Sequence, residues 1–255
     1  MGRLLPILSP SRKNMYRGGE DSAFEILEFG VPLGINYWED DFQGAALQSG
    51  IYTTATNDAG TAAAITVGAL GGRARWTTGT TTNGSTVFSS GLHYRGDRNA
   101  AFYAYIVLPA AITGFKFEMG FSDTIAGTDN GLVATKATPT FNATDAACLV
   151  FDTTDDTALT LVGVKAGTAA TAIDFSTALA AATGYWMGVV LRDDRAKGFL
   201  YNADGDLLEQ TAWQEDAITE TVSTCLWVYA QTRNTTSKNM DVDRIKAYQR
   251  QTTSS

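Results

Sequence analysis

The chain has 255 residues, 44% hydrophobic and 18% charged, with a formal net charge of −8, one His and two Cys. An acidic chain is poorly suited to wrap nucleic acid or lie on an anionic membrane. So few His and Cys exclude a Cys/His zinc cluster, a disulfide scaffold and most catalytic triads.

Residues 1–18 carry Arg3, Arg12, Lys13 and Arg17 and no acid, which leaves −12 on residues 19–255. Pro6 and Pro10 make this stretch a poor helix or strand, so it is expected to be an extended arm. Leu4, Leu5, Ile7 and Leu8 would be its apolar anchors and the four cations its guides onto a neighbouring subunit. The apolar run is too short and too broken for a secretory signal, and no run approaches the roughly 20 apolar residues of a membrane span. Cytoplasmic synthesis without membrane attachment is therefore expected. The pattern EDSAFEILEF from Glu20 predicts one short helix with Asp21 or Ser22 as its cap, followed by the linker GVPLG. Residues 1–36 are read as an arm and attachment segment.

From Tyr37 to the end the chain reads as one β-rich domain. AAFYAYIVLP is a strand stopped by Pro109. Phe115, Phe117, Met119 and Phe121 alternate with Lys116, Glu118 and Gly120, the period of two of a half-buried antiparallel strand. AACLVFD and ALTLVGVK flank TTDD as a hairpin. GYWMGVVLRDD, AKGFLYNADGD and LLEQTAW form a meander turning near Asp193–Asp194 and at Ala203-Asp204-Gly205. TCLWVYAQT and MDVDRIKAYQR close the domain, the latter with Val242, Ile245 and Tyr248 in only approximate alternation. DFSTALAAATGY, from Asp174, is either a helix or a loop. About a dozen strands in one chain predict an all-β sandwich of two antiparallel sheets. Cys148 and Cys225 lie in strand-like contexts and are expected to be buried free thiols.

YWEDDF (Tyr37 to Phe42), FKFEMGFSD, WMGVVLRDDRAKGFLYNADGDLL and MDVDRIKAYQ together resemble the concanavalin A-like, or laminin G-like, jelly roll over residues 37–250. The low-charge Ala/Thr/Gly-rich body and the arm MGRLLPILSPSRK resemble structural proteins of tailed-phage virions, including capsid decoration and head-fibre proteins. That resemblance implies other virion proteins as partners, a virion location and a homo-oligomer, trimers being common. Fold alone does not carry function.

Glycoside hydrolases of this jelly roll share an E-x-D-x-E strand whose acids project into one cleft. Here Glu118 has Gly120 where the family expects its second acid, and glycosidase chemistry needs two carboxylates. Glu118 is expected on a solvated sheet face or paired with Lys116. His93 has neither a nucleophile elbow nor a reactive Cys context and reads as structural. Asp204 and Asp206 have a partial look of a calcium loop but lack its ligand array; turn geometry explains them as well. Trp38, Trp76, Trp186, Trp213 and Trp227 could stack on sugars, although Trp186 and Trp227 sit in apolar strands. The first expectation is thus a non-enzymatic virion protein that decorates or stabilises a capsid through its arm, without a cofactor. The alternative is a carbohydrate-binding, receptor-binding module of a phage adsorption structure that uses loop aromatics such as Trp76 or Tyr94. A glycosidase is third.

Overall fold

The computed structural model describes residues 35–250 except 45, 67–71 and 126–130. Two antiparallel sheets of eight strands each face one another as a jelly-roll sandwich, with a small third sheet of two strands. Sheet I runs β16 (Leu207–Gln210), β15 (Arg195–Tyr201), β14 (Gly184–Arg192), β6 (Ala101–Val107), β18 (Asn239–Arg250), β4 (Ala74–Thr77) and β3 (Thr61–Ile65), and β1 (Ile35–Asp40) also pairs with β18. Sheet II runs β12 (Thr168–Ala169), β11 (Leu159–Lys165), β10 (Ala146–Asp152), β7 (Phe115–Ser122), β17 (Cys225–Thr232), β5 (Ser85–Ser89) and β2 (Thr53–Asn57), with β13 (Ile173–Asp174) on β11. The third sheet is β8 (Val133–Thr135) with β9 (Thr140–Phe141). Among the described residues the only helical element is a single 3-10 turn at Gly96–Arg98. The expected boundary at Tyr37 falls inside β1, so the sandwich already includes Ile35 and Asn36.

Alternation builds the core between the sheets. Phe115, Phe117, Met119 and Phe121 of β7 meet Phe102, Ala104 and Ile106 of β6 and Met187, Val189 and Leu191 of β14. The expectation for β7 was half-buried, yet all eight of its residues are buried. A second apolar layer explains this. Val87, Cys148, Val150, Val162, Val164, Trp227 and Tyr229 point out of sheet II and are packed under Leu132, Val133 and Phe141 of the β8–β9 flap. A third cluster, of Ala101, Tyr103, Val190, Phe199, Tyr201 and Tyr248, occupies the outward face of sheet I. Three apolar layers rather than one account for the low fraction of charge, since strands buried on both faces read as nearly continuous apolar runs.

The meander β14–β15–β16 and the hairpin β10–β11 lie where the sequence places them. The irregular alternation of the last strand is a bulge between Val242 and Arg244. An extra residue there lets Val242 and Ile245 both face the core while Tyr248 points outward. The alanine-rich stretch after Asp174 is a loop. Its backbone N–H groups turn to side chains instead of a helical ladder: Ser176 and Thr177 donate to the Glu209 carboxylate, at 2.9 and 2.8 Å, and Ala180 donates to the Tyr185 hydroxyl at 3.0 Å. Cys148 and Cys225 are buried free thiols, as expected.

Candidate functional site

Glu118 stands at the centre of β7, on the face of sheet II that is turned away from the core. Its carboxylate accepts hydrogen bonds from the backbone N–H of Leu132 (2.8 Å) and Val133 (3.0 Å) and from the Trp227 indole (3.1 Å). The Lys116 ammonium lies 2.9 Å from its Oε1, and both side chains are buried. Lys116 also donates to the Val133 carbonyl. The expected Lys116–Glu118 pair is therefore present, but the solvated face is not, because the flap lies over it. Gly131, in a left-handed conformation (φ 74°), brings the flap backbone so close that a Cβ there would sit 2.5 Å from the Glu118 carboxylate. Beside this pair, Asp152 is held by the Arg233 guanidinium at 2.6 Å, and Asn142 closes the flap by donating to the Gly131 carbonyl at 2.8 Å.

The flap leaves Glu118 no open lone pair aimed at solvent, and there is no room for a side chain at position 120. A Cβ on Gly120 would lie 2.3 Å from the Ala147 carbonyl oxygen and 2.6 Å from Cys148 Cα. Glu118 works as an anchor for the 131–142 segment, which is how a buried ionised group is normally satisfied.

The two aromatics singled out as loop platforms fare differently. Trp76 lies on β4 with its ring in the core, edge-on to Phe88 at 5.6 Å and without exposed surface, so it cannot stack on a sugar. The four-residue strand ARWT turns Ala74 and Trp76 inward and leaves Arg75 to grip Asp241, with Nε–Oδ1 2.7 Å. Tyr94 is largely buried against Phe121, with centroids 5.8 Å apart, and its hydroxyl is raised well above its ordinary pKa by burial. One edge of Tyr94 still lines a cavity of about 410 Å³ together with Trp38, Ile51, Ser90 and His93. The structure thus gathers Trp38, His93 and Tyr94 and separates Trp76 from them. The His93 backbone is fastened by Thr224 (N–H to carbonyl, 2.9 Å) and by Gln249, in keeping with a structural position.

Asn202, Asp204 and Asp206 form a hairpin turn. The Asn202 side-chain oxygen accepts from the N–H groups of Asp204 (3.0 Å) and Asp206 (2.8 Å), while its amide donates to the Asp206 carboxylate at 3.2 Å. Among the described residues no three His, Cys, Asp or Glu side chains converge as a metal site would require. The anchors Leu4, Leu5, Ile7 and Leu8, the cations Arg3, Arg12, Lys13 and Arg17, and the short helix predicted from Glu20 lie outside the described residues.

A larger groove, about 740 Å³, runs between the β11–β13 edge of sheet II and the segment after β16. Trp213, Gln214, Glu215, Asp216, Lys165, Thr168 and Thr171 line it. Trp213 is only partly buried, with Arg192, Arg195 and Lys197 at 5.1, 5.4 and 5.7 Å from its ring. Gln214 fixes the groove floor by donating to the Thr171 carbonyl at 2.7 Å. Lys165 ties its rim by bonding Asp194 and Asp216, both at 2.7 Å. The Lys165 hydrogen bond lowers the pKa of Asp194. A partly buried indole beside amide, hydroxyl and carboxylate groups offers one apolar ring and several hydrogen-bonding partners side by side. The sequence offered Trp213 as one of five tryptophans, without a signal to choose it; Trp38 and Trp186 are also partly buried, and only the fold sets Trp213 on this groove.

No family model matches the chain, and no curated protein matches it in sequence. Many solved structures share its fold. A Shewanella oneidensis MR-1 protein of unknown function aligns with TM-score 0.64 and 17% identity over 99% of both chains. The Bacillus licheniformis β-glucanase aligns with TM-score 0.56 and 13% identity, over 83% of this chain and 97% of the other. The exoplasmic/lumenal domain of VIP36, solved with Ca²⁺ and Man3GlcNAc bound, aligns with TM-score 0.53 and 12% identity, over 79% of this chain and 85% of the other. The fold is the concanavalin A-like jelly roll, which these glycan-processing and glycan-binding neighbours share.

Proposed function

We propose that this chain is a non-enzymatic jelly-roll module of a tailed-phage particle whose body binds glycan in the groove beside Trp213. The observation that carries it is the 131–142 flap. By locking Glu118 and covering its strand, the flap removes the surface on which a related hydrolase would act. The large groove beside the partly buried Trp213 indole lies elsewhere. The glycan-bound VIP36 domain and the β-glucanase support carbohydrate as the ligand class. The virion assignment rests on the resemblance carried by the basic, proline-broken segment 1–18 and the Ala/Thr/Gly-rich body.

Glycan-array screening followed by titration tests this reading. Saturable binding should appear for at least one glycan, and Trp213→Ala should weaken it at least about tenfold, or ~1.4 kcal/mol. Trp76→Phe should leave it unchanged. Binding indifferent to Trp213 would remove the groove from consideration, and hydrolysis of any bound glycan would end the non-enzymatic reading.

The second reading is capsid decoration through residues 1–36, with other virion proteins as partners. The opposite charges of segment 1–18 and the rest of the chain favour it. Deleting residues 1–18 should abolish attachment to particles while circular dichroism shows the sandwich intact; undiminished occupancy would refute it.

A further inference from the structure

The outward face of sheet I has a definite composition, read across the paired strands. One row is Tyr37, Tyr248, Ala101, Val190 and Lys197, and the next is Glu39, Lys246, Tyr103, Gly188 and Phe199. Gly188 leaves space for the Tyr103 ring, since a Cβ there would lie 2.2 Å from the Tyr103 Cε1. The centre of this face is buried. Tyr103, Phe199 and Tyr201 have no exposed surface, Tyr248 has 3%, and even Lys197 and Lys246 have only 5% and 4%. The partly buried residues packed against this cluster are Trp186 and Trp213. Two lysines and four aromatic rings sunk this deep on an outer sheet face form a surface made for an acidic, apolar cover.

Residues 20–34 read EDSAFEILEFGVPLG. They hold Glu20, Asp21, Glu25 and Glu28 without one base, and Phe24, Ile26, Leu27 and Phe29 as apolar partners. They run directly into β1, where Ile35 pairs with Arg250, two residues from Tyr248. The distance suits the connection: neighbouring strands are about 4.8 Å apart, so Phe199 on β15 lies roughly 20 Å across the sheet from β1. Fifteen residues span that with chain to spare.

We infer that residues 20–34 of the same chain dock on the outward face of sheet I, their acids toward Lys197, Lys246, Arg192 and Arg195 and their apolar side chains on Tyr103, Phe199 and Tyr248. The net charge then divides into three parts, +4 on residues 1–18, −4 on residues 19–34 and −8 beyond. The acidic part serves the fold and the basic part is left to reach outward. Opposite charges give such docking its register, while the apolar contact supplies most of its strength.

Site-specific photocrosslinking in the full chain tests the docking. A benzophenone side chain placed at Phe24 or at Leu27 should crosslink within one chain to peptides from β6, β15 or β18, and one placed at Leu5 should not. A companion full-length variant, Phe24→Ala with Leu27→Ala, should gain emission from a hydrophobic dye as the aromatic face opens. Crosslinked products of twice the chain mass would make a second copy the occupant. Crosslinks to other strands, or none, together with unchanged dye emission, would overturn the inference.

Discussion

The two sheets of this sandwich cover their outward faces by different chemistry. Sheet II is covered by a local flap, residues 131–142, inserted between its own strands β7 and β10 and pinned by hydrogen bonds and ion pairs to Glu118, Asp155, Asp156 and Arg233, with apolar contacts around them. Sheet I presents aromatic rings interleaved with lysines, and the segment that suits this surface comes from outside the sheet. The flap is held by directional bonds to several fixed groups, the buried Glu118 carboxylate, the Asp155 carboxylate and the Arg233 guanidinium among them. The aromatic face offers broad, less directional contact, which tolerates a cover that arrives from a distance.

That contrast can be broken by mutation, and the largest effect is expected at Glu118. Glu118→Ala leaves the Lys116 ammonium buried without its carboxylate and frees the N–H groups of Leu132 and Val133, at a cost of about 3–5 kcal/mol. Urea unfolding would measure it, and a loss below about 1 kcal/mol would mean the flap is not anchored there. On the opposite face, Phe199→Ala removes a ring stacked against Tyr201 and should cost about 3 kcal/mol. Equal costs at the two sites would blur the distinction between a directional anchor and a diffuse one. Gly120→Ala follows, at about 2 kcal/mol or more from the clash with β10.

Thiol chemistry sharpens the same comparison at smaller scale. Cys148 lies beneath the flap, and burial raises its pKa well above the ordinary thiol range; burial pushes Cys225 up to about 12. Neither should react with iodoacetamide near pH 8 in the folded protein, and Glu118→Ala should expose Cys148 first. Smallest of all is the Asp194 effect. Because Lys165 lowers its folded pKa, Asp194 contributes stability above the usual carboxylate range and loses it as pH falls through that lowered value. The difference between wild type and Asp194→Asn in thermal scans should shrink toward zero in acid.

Much of this architecture is visible in the residues. The period of two in β7, the hairpin β10–β11 and the Asn-x-Asp-Gly turn are local signals that the fold obeys. The flap is not visible in this way. β8 and β9 are three and two residues long, and TKATPTFNAT has neither alternation nor apolar length, so nothing along the chain says that Glu118 is covered. Trp76 was misplaced for a related reason: in a four-residue strand, the choice of inward face belongs to the partners β3 and β18. The groove beside Trp213 joins the β11–β13 edge of sheet II to the segment after β16, roughly forty to fifty positions further along the chain, and only packing brings them together.

The pairing of the first strand with the last has a mechanical consequence. Ile35 and Arg250 are directly opposed across β1 and β18, about 5 Å apart. The first and last described residues of the body therefore meet at one corner, like the two halves of a clasp. Pulling those two ends apart would peel β1 from β18 one pair at a time. The same closeness makes the sandwich a natural subject for circular permutation. A short linker from Arg250 to Ile35, with new ends opened at the unobstructed turn around Gly167, preserves every strand pairing of both large sheets except the two-residue contact of β11 with β12.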